Sequence, residues 1–474
     1  MTAVEGFRRN SPAAAPRAGA APDRARLALP VVLYFLTVLL PVQFNVGPLA
    51  MTGTRLILLV LVVPLTLRLL AGAYDGVRMA DVFFFLHLLW ATVALAVNNP
   101  DRVVQNAGST GIEFLGGYLL GRAYIRNAAS FSALIRFLAI AVVVTFPLAL
   151  YETLTGTSLI LKTLDGLPGI RSIADLSIGK RLGLDRVQLA FAHPIHYGLF
   201  CTMAMSLVFI GLKQSYPLGR RLLIGAITLA SGVLALSSGA LLAIVLQLGL
   251  IAWATVFHGV KARWWILTAL FVTAYVTIDL ISNRSAMKVF LSYATFSAST
   301  AYWRMLIFEF GMDNVWANPI FGLGLNDWVR PYWMYSGSMD NFWLVMAVRY
   351  GIPGFLLLAI GYLWTLWRIG TRDFDGSPLL WNFRRAWMFS FVGLTFTLST
   401  VHIWGSIYSV VFFVFGAGMW LLSADKDATG TEAEAALSPA DQARKGPSYT
   451  RFPNTSRRGS FSGHVPLSQP VAGR

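Results

Sequence analysis

The chain has 474 residues, of which 56% are apolar and 13% charged, with a net charge of +16. Soluble domains carry about 25% charged residues, and here the apolar residues come in long runs. An ordinary soluble enzyme and a disordered protein are therefore excluded, and a polytopic membrane protein remains. The 38 Lys+Arg residues lie in separate short clusters, which fits basic loops between membrane helices better than a nucleic-acid surface, so no nucleic-acid partner is expected.

Residues 1–26 are rich in Ala, Pro and Arg and read as a disordered cytoplasmic N-terminus ahead of a polytopic membrane domain over 27–423. The apolar run from Leu27 to Phe44 is too long, and too soon followed by others, for a signal peptide, and reads as an uncleaved first helix. A helix crossing ~30 Å of hydrocarbon needs ~20 residues. Twelve segments qualify: 28–46, 54–73, 80–97, 109–125, 131–151, 189–212, 222–237, 239–257, 264–282, 341–368, 386–402 and 405–423. The fourth is glycine-rich and holds Glu113, a carboxylate within a span, for which a partner on another helix is expected rather than Arg122. Cys201, the single cysteine, lies in an apolar run and reads as a packing side chain. The tenth span should kink at Gly351-Ile352-Pro353-Gly354, where proline removes a backbone donor. Residues 424–474 are polar and Ser/Pro/Gly-rich and read as a disordered cytoplasmic tail.

Lys and Arg set the orientation. With the N-terminus in the cytoplasm, the cytoplasmic loops and helix ends carry Arg68, Arg78, Arg122, Arg126, Arg136, Lys213, Arg220, Arg221, Lys261, Arg263, Arg368, Arg372, Arg384 and Arg385. The short external loops carry only Arg55 and Arg102, so both termini are placed inside. Two long external segments, about 152–188 and 283–339, depart from this pattern. The first carries Lys162, Arg171, Lys180, Arg181 and Arg186; the second carries Arg284, Lys288, Arg304 and Arg330. Long connections with aromatic and aliphatic content are read as functional. No GxGxxG, Walker A, HExxH or GxSxG pattern occurs, so no nucleotide, flavin or metal cofactor is expected.

The candidate site residues lie at these external segments. Arg186 and His193 fall in the stretch from Leu184 to Gly198, at the mouth of span six, with Pro194 placed for a helix start. Arg186 reads either as an interfacial anchor or as a planar fork of donors for phosphate. Arg304 falls on an amphipathic helix in Ala301–Phe310, where Glu309 is a salt-bridge candidate and phosphate binding the alternative. Asn318-Pro319-Ile320-Phe321-Gly322-Leu323-Gly324 is a turn following that helix. Asp340, in Ser338-Met339-Asp340-Asn341-Phe342-Trp343-Leu344, is placed either as an N-cap or as a general base.

In order, these pieces are an arginine followed by Phe-x-His-Pro, a span–turn–span hairpin, an arginine with Asn-Pro-x-x-Gly-x-Gly, and Asp-Asn-x-x-Leu with Gly-x-x-Gly. Together they resemble the bacterial O-antigen ligase and polymerase superfamily (the Wzy/WaaL type) over about residues 28–423. The resemblance implies an all-α inner-membrane protein with about twelve spans, GT-C-like, whose active site faces the periplasm. It implies transfer of a glycan from an undecaprenyl-pyrophosphate donor to an acceptor hydroxyl, inverting and metal-independent. It also implies the lipid bilayer, a chain-length regulator and a flippase as partners. By motif position Arg186 and Arg304 hold the pyrophosphate and Asp340 is the base, supported by Asn341, His193, Arg181 and Arg330. Two departures stand out. The hairpin reads Ser237-Ser238-Gly239 where many members have Ser-Arg-Gly/Ala, and Asp340 stands where ligases have His. The Asp-Asn pair looks more like the polymerase branch. An O-antigen ligase is the alternative within the family, and a transporter or flippase of a lipid-linked or anionic substrate is the alternative from another class. Against transport, the polar residues gather on one membrane face and no repeat symmetry is visible.

Overall fold

The computed structural model describes residues 26–46, 49–176, 178–283, 285–293 and 298–425. The terminal segments read above as disordered, apart from their innermost residues, and Arg284 lie outside the described residues.

Sixteen α-helices run in chain order through the described residues. They are α1 (Leu29–Leu39), α2 (Gly53–Leu70), α3 (Met79–Asn98), α4 (Val103–Gly111), α5 (Gly117–Tyr124), α6 (Ala128–Thr155), α7 (Leu159–Asp165) and α8 (Pro194–Ser206). The remainder are α9 (Leu218–Leu234), α10 (Ser238–Val256), α11 (Arg263–Ile281), α12 (Ala286–Tyr293), α13 (Ala298–Ala317), α14 (Phe342–Gly370), α15 (Pro378–Thr397) and α16 (Ser406–Gly416). Among the described residues, seven helical segments are long and apolar enough to cross a membrane: α2, α3, α6, Pro194–Gln214, α10, α11 and α14. Two more, Leu29–Leu39 and Ser406–Leu422, are apolar but shorter.

The first expected span is cut short. Pro41 cannot continue the helix, and Val42-Gln43-Phe44-Asn45-Val46 alternates with the period of a strand. Helix α1 therefore stops at Leu39, and β1 (Val42–Val46) pairs antiparallel with β2 (Leu49–Thr52) and with β3 (Arg171–Ser172). The small sheet ties the end of α1 to the first long connection.

The glycines of the fourth span serve close packing. Helix α16 is buried from Ile407 to Gly416, and α5 lies against it. A Cβ on Gly117 would sit 2.4 Å from the Ser409 carbonyl oxygen, and one on Gly121 2.1 Å from that of Phe413. Small residues four apart let two backbones meet, as membrane interfaces require. Between α4 and α5 the chain makes a π-turn over Ile112–Gly116, where Glu113 bonds Arg55 of α2 at 2.8 Å. The partner is on another helix, as expected. Arg122 instead pairs with buried Asp81 at 2.9 Å, and the Tyr118 hydroxyl donates to the same carboxylate at 2.5 Å. Helix α11 has no buried residue and touches the bundle through Trp264–Phe389 and Phe271–Phe396 ring contacts.

Helix α14 breaks where the sequence requires it. Gly351 has φ 71° and ψ 177° within the helix. The turn after α13 docks into this break: Leu323 N–H donates to the Val348 carbonyl (2.7 Å), Gly324 N–H to that of Arg349 (3.0 Å), and Ile352 N–H to that of Pro319 (2.8 Å). A Cβ on Gly351 would lie 2.0 Å from the Ile320 oxygen. The two glycine motifs are thus two halves of one joint, which hangs α13 on α14. At that same end of the bundle Asn99 donates to Asn326 at 3.0 Å and Thr153 to the Asp185 carbonyl at 2.7 Å. At the opposite end Ser423 bonds Asp75 at 2.8 Å and Arg372 bonds the Ala424 carbonyl at 2.7 Å.

Candidate active site

Arg186 is set by its backbone. On either side of it Asp185 N–H donates to Thr153 (3.2 Å) and Val187 N–H to Leu234 (3.2 Å). The Glu152 carboxylate, at the end of α6, then receives the Gln188 N–H at 2.7 Å and the Leu189 N–H at 3.2 Å. With the segment fixed at both flanks, Arg186 is half-buried, and its Nε has no hydrogen-bond partner among the described residues. Burial, aided by the charge of Arg181, brings its pKa down to about 10, against the pull of Asp340. The group stays cationic at neutral pH.

Arg304 comes from α13, pressed onto α14 where Gly311 meets the Leu344 side chain. It is 6% exposed, and neither Nε nor Nη1 finds a hydrogen-bond partner among the described residues. Glu309, the expected salt-bridge candidate, bonds Lys288 at 2.6 Å instead. Burial lowers the Arg304 pKa, Asp340 opposes that, and Arg181 adds to it. An isolated cation in such a place is costly unless an anion joins it.

Asp340 is half-buried, and the Ser338 hydroxyl donates to its Oδ1 at 3.2 Å. It is not the helix cap. Asn341 caps α14, its Oδ1 accepting the Leu344 N–H at 3.1 Å. The N-cap alternative for Asp340 is thereby replaced: the cap falls one residue later, and the charge of Asp340 acts on Arg186 and Arg304. The α14 start is further held by Phe342 N–H, shared between the carbonyls of Leu398 (2.8 Å) and Val401 (3.0 Å).

Three expected site residues thus share one electrostatic neighbourhood, since the charge of Asp340 acts on both Arg186 and Arg304. Arg181 joins them: its charge acts on Arg186, Arg304 and His193, while its Nη1 donates to the Leu236 carbonyl in the α9–α10 hairpin at 2.8 Å. His193 caps α8 through its Nδ1, which accepts the Ile195 N–H at 3.1 Å. Burial first, then Arg186 and Arg181, holds its pKa down to about 4, so it is neutral at pH 7. Arg330 is used locally. It bonds Asp327 at 2.6 Å and the carbonyls of Met334 (2.9 Å) and Trp328 (3.1 Å), folding its own loop.

The sequence reading missed His196, His402 and Trp404. The Trp404 ring lies 4.1 Å from that of His196, 5.8 Å from that of His402 and 6.1 Å from that of His193. The scarcity of histidine, six in the chain, was the only available signal. An apolar cavity of about 430 Å³ opens at Asn341 between α12, α13 and α14, walled by Met287, Phe308, Met312 and Trp343. A second, polar cavity of about 230 Å³ lies beside Arg186.

Long apolar helices define a multi-pass membrane protein, and the charges of Arg181, Arg186, Arg304 and Asp340 act on one another at one end of it. Residues 223–359 match a family model described as O-Antigen ligase. This supports the O-antigen ligase/polymerase superfamily and does not distinguish polymerase from ligase. The matched segment runs from α9 into α14, is less than a third of the chain, and includes Arg304, Asp340 and Asn341. No curated protein matches the chain.

Proposed function

We propose that the chain is an inner-membrane polysaccharide polymerase with twelve spans and both termini in the cytoplasm. It moves a glycan from an undecaprenyl-pyrophosphate donor to an acceptor sugar hydroxyl at the periplasmic face. The observation that carries this reading is Arg304, 94% buried, with two unpartnered guanidinium nitrogens and with the charges of Asp340 and Arg181 acting on it. Asp340 takes the acceptor hydroxyl proton, and the freed oxygen attacks the anomeric carbon from the face opposite the leaving group. The bond from that carbon to the pyrophosphate oxygen breaks, and the electron pair leaves with the lipid diphosphate. Arg186 and Arg304 receive the growing charge, and fixed cations in a water-poor site are effective there. Arg181, hydrogen-bonded to the hairpin, supplies the cation that the Ser-Ser-Gly sequence lacks. The apolar cavity at Asn341 suits the prenyl end of the donor.

O-antigen ligation is the second reading, favoured by the description of the matching family. A deletion strain separates the two. The polymerase reading expects single repeat units to accumulate, and the ligase reading expects long free polymer lacking its lipid A attachment. Complementation with Arg186→Ala or Arg304→Ala should fail while the protein still inserts. Full-length polymer from both variants would overturn either reading.

A further inference from the structure

The geometry points to a sugar subsite in the polar cavity beside Arg186, holding one ring of the acceptor glycan; the acceptor role rests on the polymerase reading, the sugar binding does not. The cavity, about 230 Å³, is lined by Glu152, Asp175, Lys180, Asp185 and Arg186. It is smaller than the usual 300–1,000 Å³ of drug-sized sites and suits a single polar ring. Its charge sets it apart from the neighbouring cation cluster: three carboxyl groups face two cations, so a diphosphate is refused where Arg186, Arg304 and Arg181 would accept it. Carboxylate oxygens accept hydrogen bonds from paired hydroxyls, and the ammonium and guanidinium donate to ring and hydroxyl oxygens.

The inner wall is held before any ligand arrives, and Lys180 and Asp175 form its exposed rim. Glu152 is held by the Gln188 and Leu189 amides, and Lys180 Nζ sits 3.3 Å from Asp185 Oδ2. Gly156, with φ +69°, brings α6 to its end against Asp185: a Cβ there would meet Oδ2 at 3.1 Å. Arg186 is the shared wall. It lines the cavity while the charge of Asp340 acts on it. A ring seated here lies against the arginine on which the charge of Asp340 also acts.

The test is saturation-transfer NMR on the full chain in lipid nanodiscs with free glucose, galactose, N-acetylglucosamine and glucuronate. At least one should receive saturation from the wild type. The signal should fall about tenfold in Asp175→Asn/Lys180→Gln, which removes exposed charge-assisted bonds, and persist in Arg304→Ala. No signal from any of the four sugars, or an undiminished one in the double variant, overturns the subsite and leaves the polymerase reading standing. Wild-type polymer from Arg304→Ala overturns the polymerase reading and leaves a sugar site whose signal still depends on Asp175 and Lys180.

Discussion

Arg304 and Asp340 allow function and stability to be separated at single residues. Arg304 holds a charge in a buried place without full hydrogen bonding, and its pKa is lowered by folding. A base whose folded pKa lies below its unfolded value destabilises the fold wherever it is protonated, which includes neutral pH. Replacing it by Met should therefore leave the melting temperature unchanged or raise it by a few degrees, as when a buried ion gives way to an apolar group. Glycan transfer should fall by about 10²–10³-fold, the loss typical of one oxyanion-type donor. A thermal melt that drops sharply would make Arg304 a structural residue. The adjacent pair Asp340 and Asn341 gives the complementary result. Asn341→Ala should cost about 1 kcal/mol through the lost cap, seen as a lower melting temperature. Asp340→Asn should leave the melt in place and reduce turnover far more than donor binding. If Asp340→Asn melts low and still turns over, the two roles are exchanged.

At the scale of elements, the joint between the α13 turn and the α14 break governs where Arg304 stands. Gly351 has positive φ and no room for a Cβ, and the turn it receives follows the helix bearing Arg304. Gly351→Ala should destabilise by roughly 2–4 kcal/mol, combining strain with a backbone clash, and should lose transfer activity without touching any charged group. Limited proteolysis should cut first near residues 318–324; a wild-type digestion pattern would show that the joint is not needed. The turn and the break were each legible in the sequence because glycine and proline announce such features locally, while their docking onto one another was not. The helices were legible because apolar runs carry their own signal. Other features depended on information that local patterns do not hold. The strand at Val42–Val46 was absorbed into an apolar run although Pro41 and the two-residue alternation marked it. The choice between Asp340 and Asn341 as cap is a one-residue phase that either side chain satisfies chemically. Arg304 was recognisable as a candidate, but Glu309 lay five residues away along the same helix while its actual partner, Lys288, lay on another. The gathering of His193, His196, His402 and Trp404 joins distant parts of the chain, and only packing reveals it.

At the scale of the whole molecule, every proposed role requires Arg186, Arg304 and Asp340 to face the periplasm. The contacts sort the connections into two ends: at one, residues 98–99 meet 321–326 and residues 153 and 181–187 meet each other and 234–236, the charge of Asp340 acting on Arg186 between them, while residues 75–81, 122–126, 372–384 and 423–424 meet at the other. The second end carries the basic residues that positive-inside sorting retains in the cytoplasm. The first carries basic residues too, but on long connections, which cross largely irrespective of charge. Cysteine labelling can decide the sidedness directly, because native Cys201 is fully buried and should give no background. Thr163→Cys in α7 and Ala317→Cys at the end of α13 are exposed positions at the site end, and Gly219→Cys is exposed, with open space around it, at the other. A membrane-impermeant maleimide added to cells with a permeabilised outer membrane should label the first two within minutes and Gly219→Cys only after the inner membrane is opened. The reverse pattern would put the cation cluster in the cytoplasm, where a periplasmic glycan acceptor cannot reach it, and both the polymerase and the ligase readings would fall together.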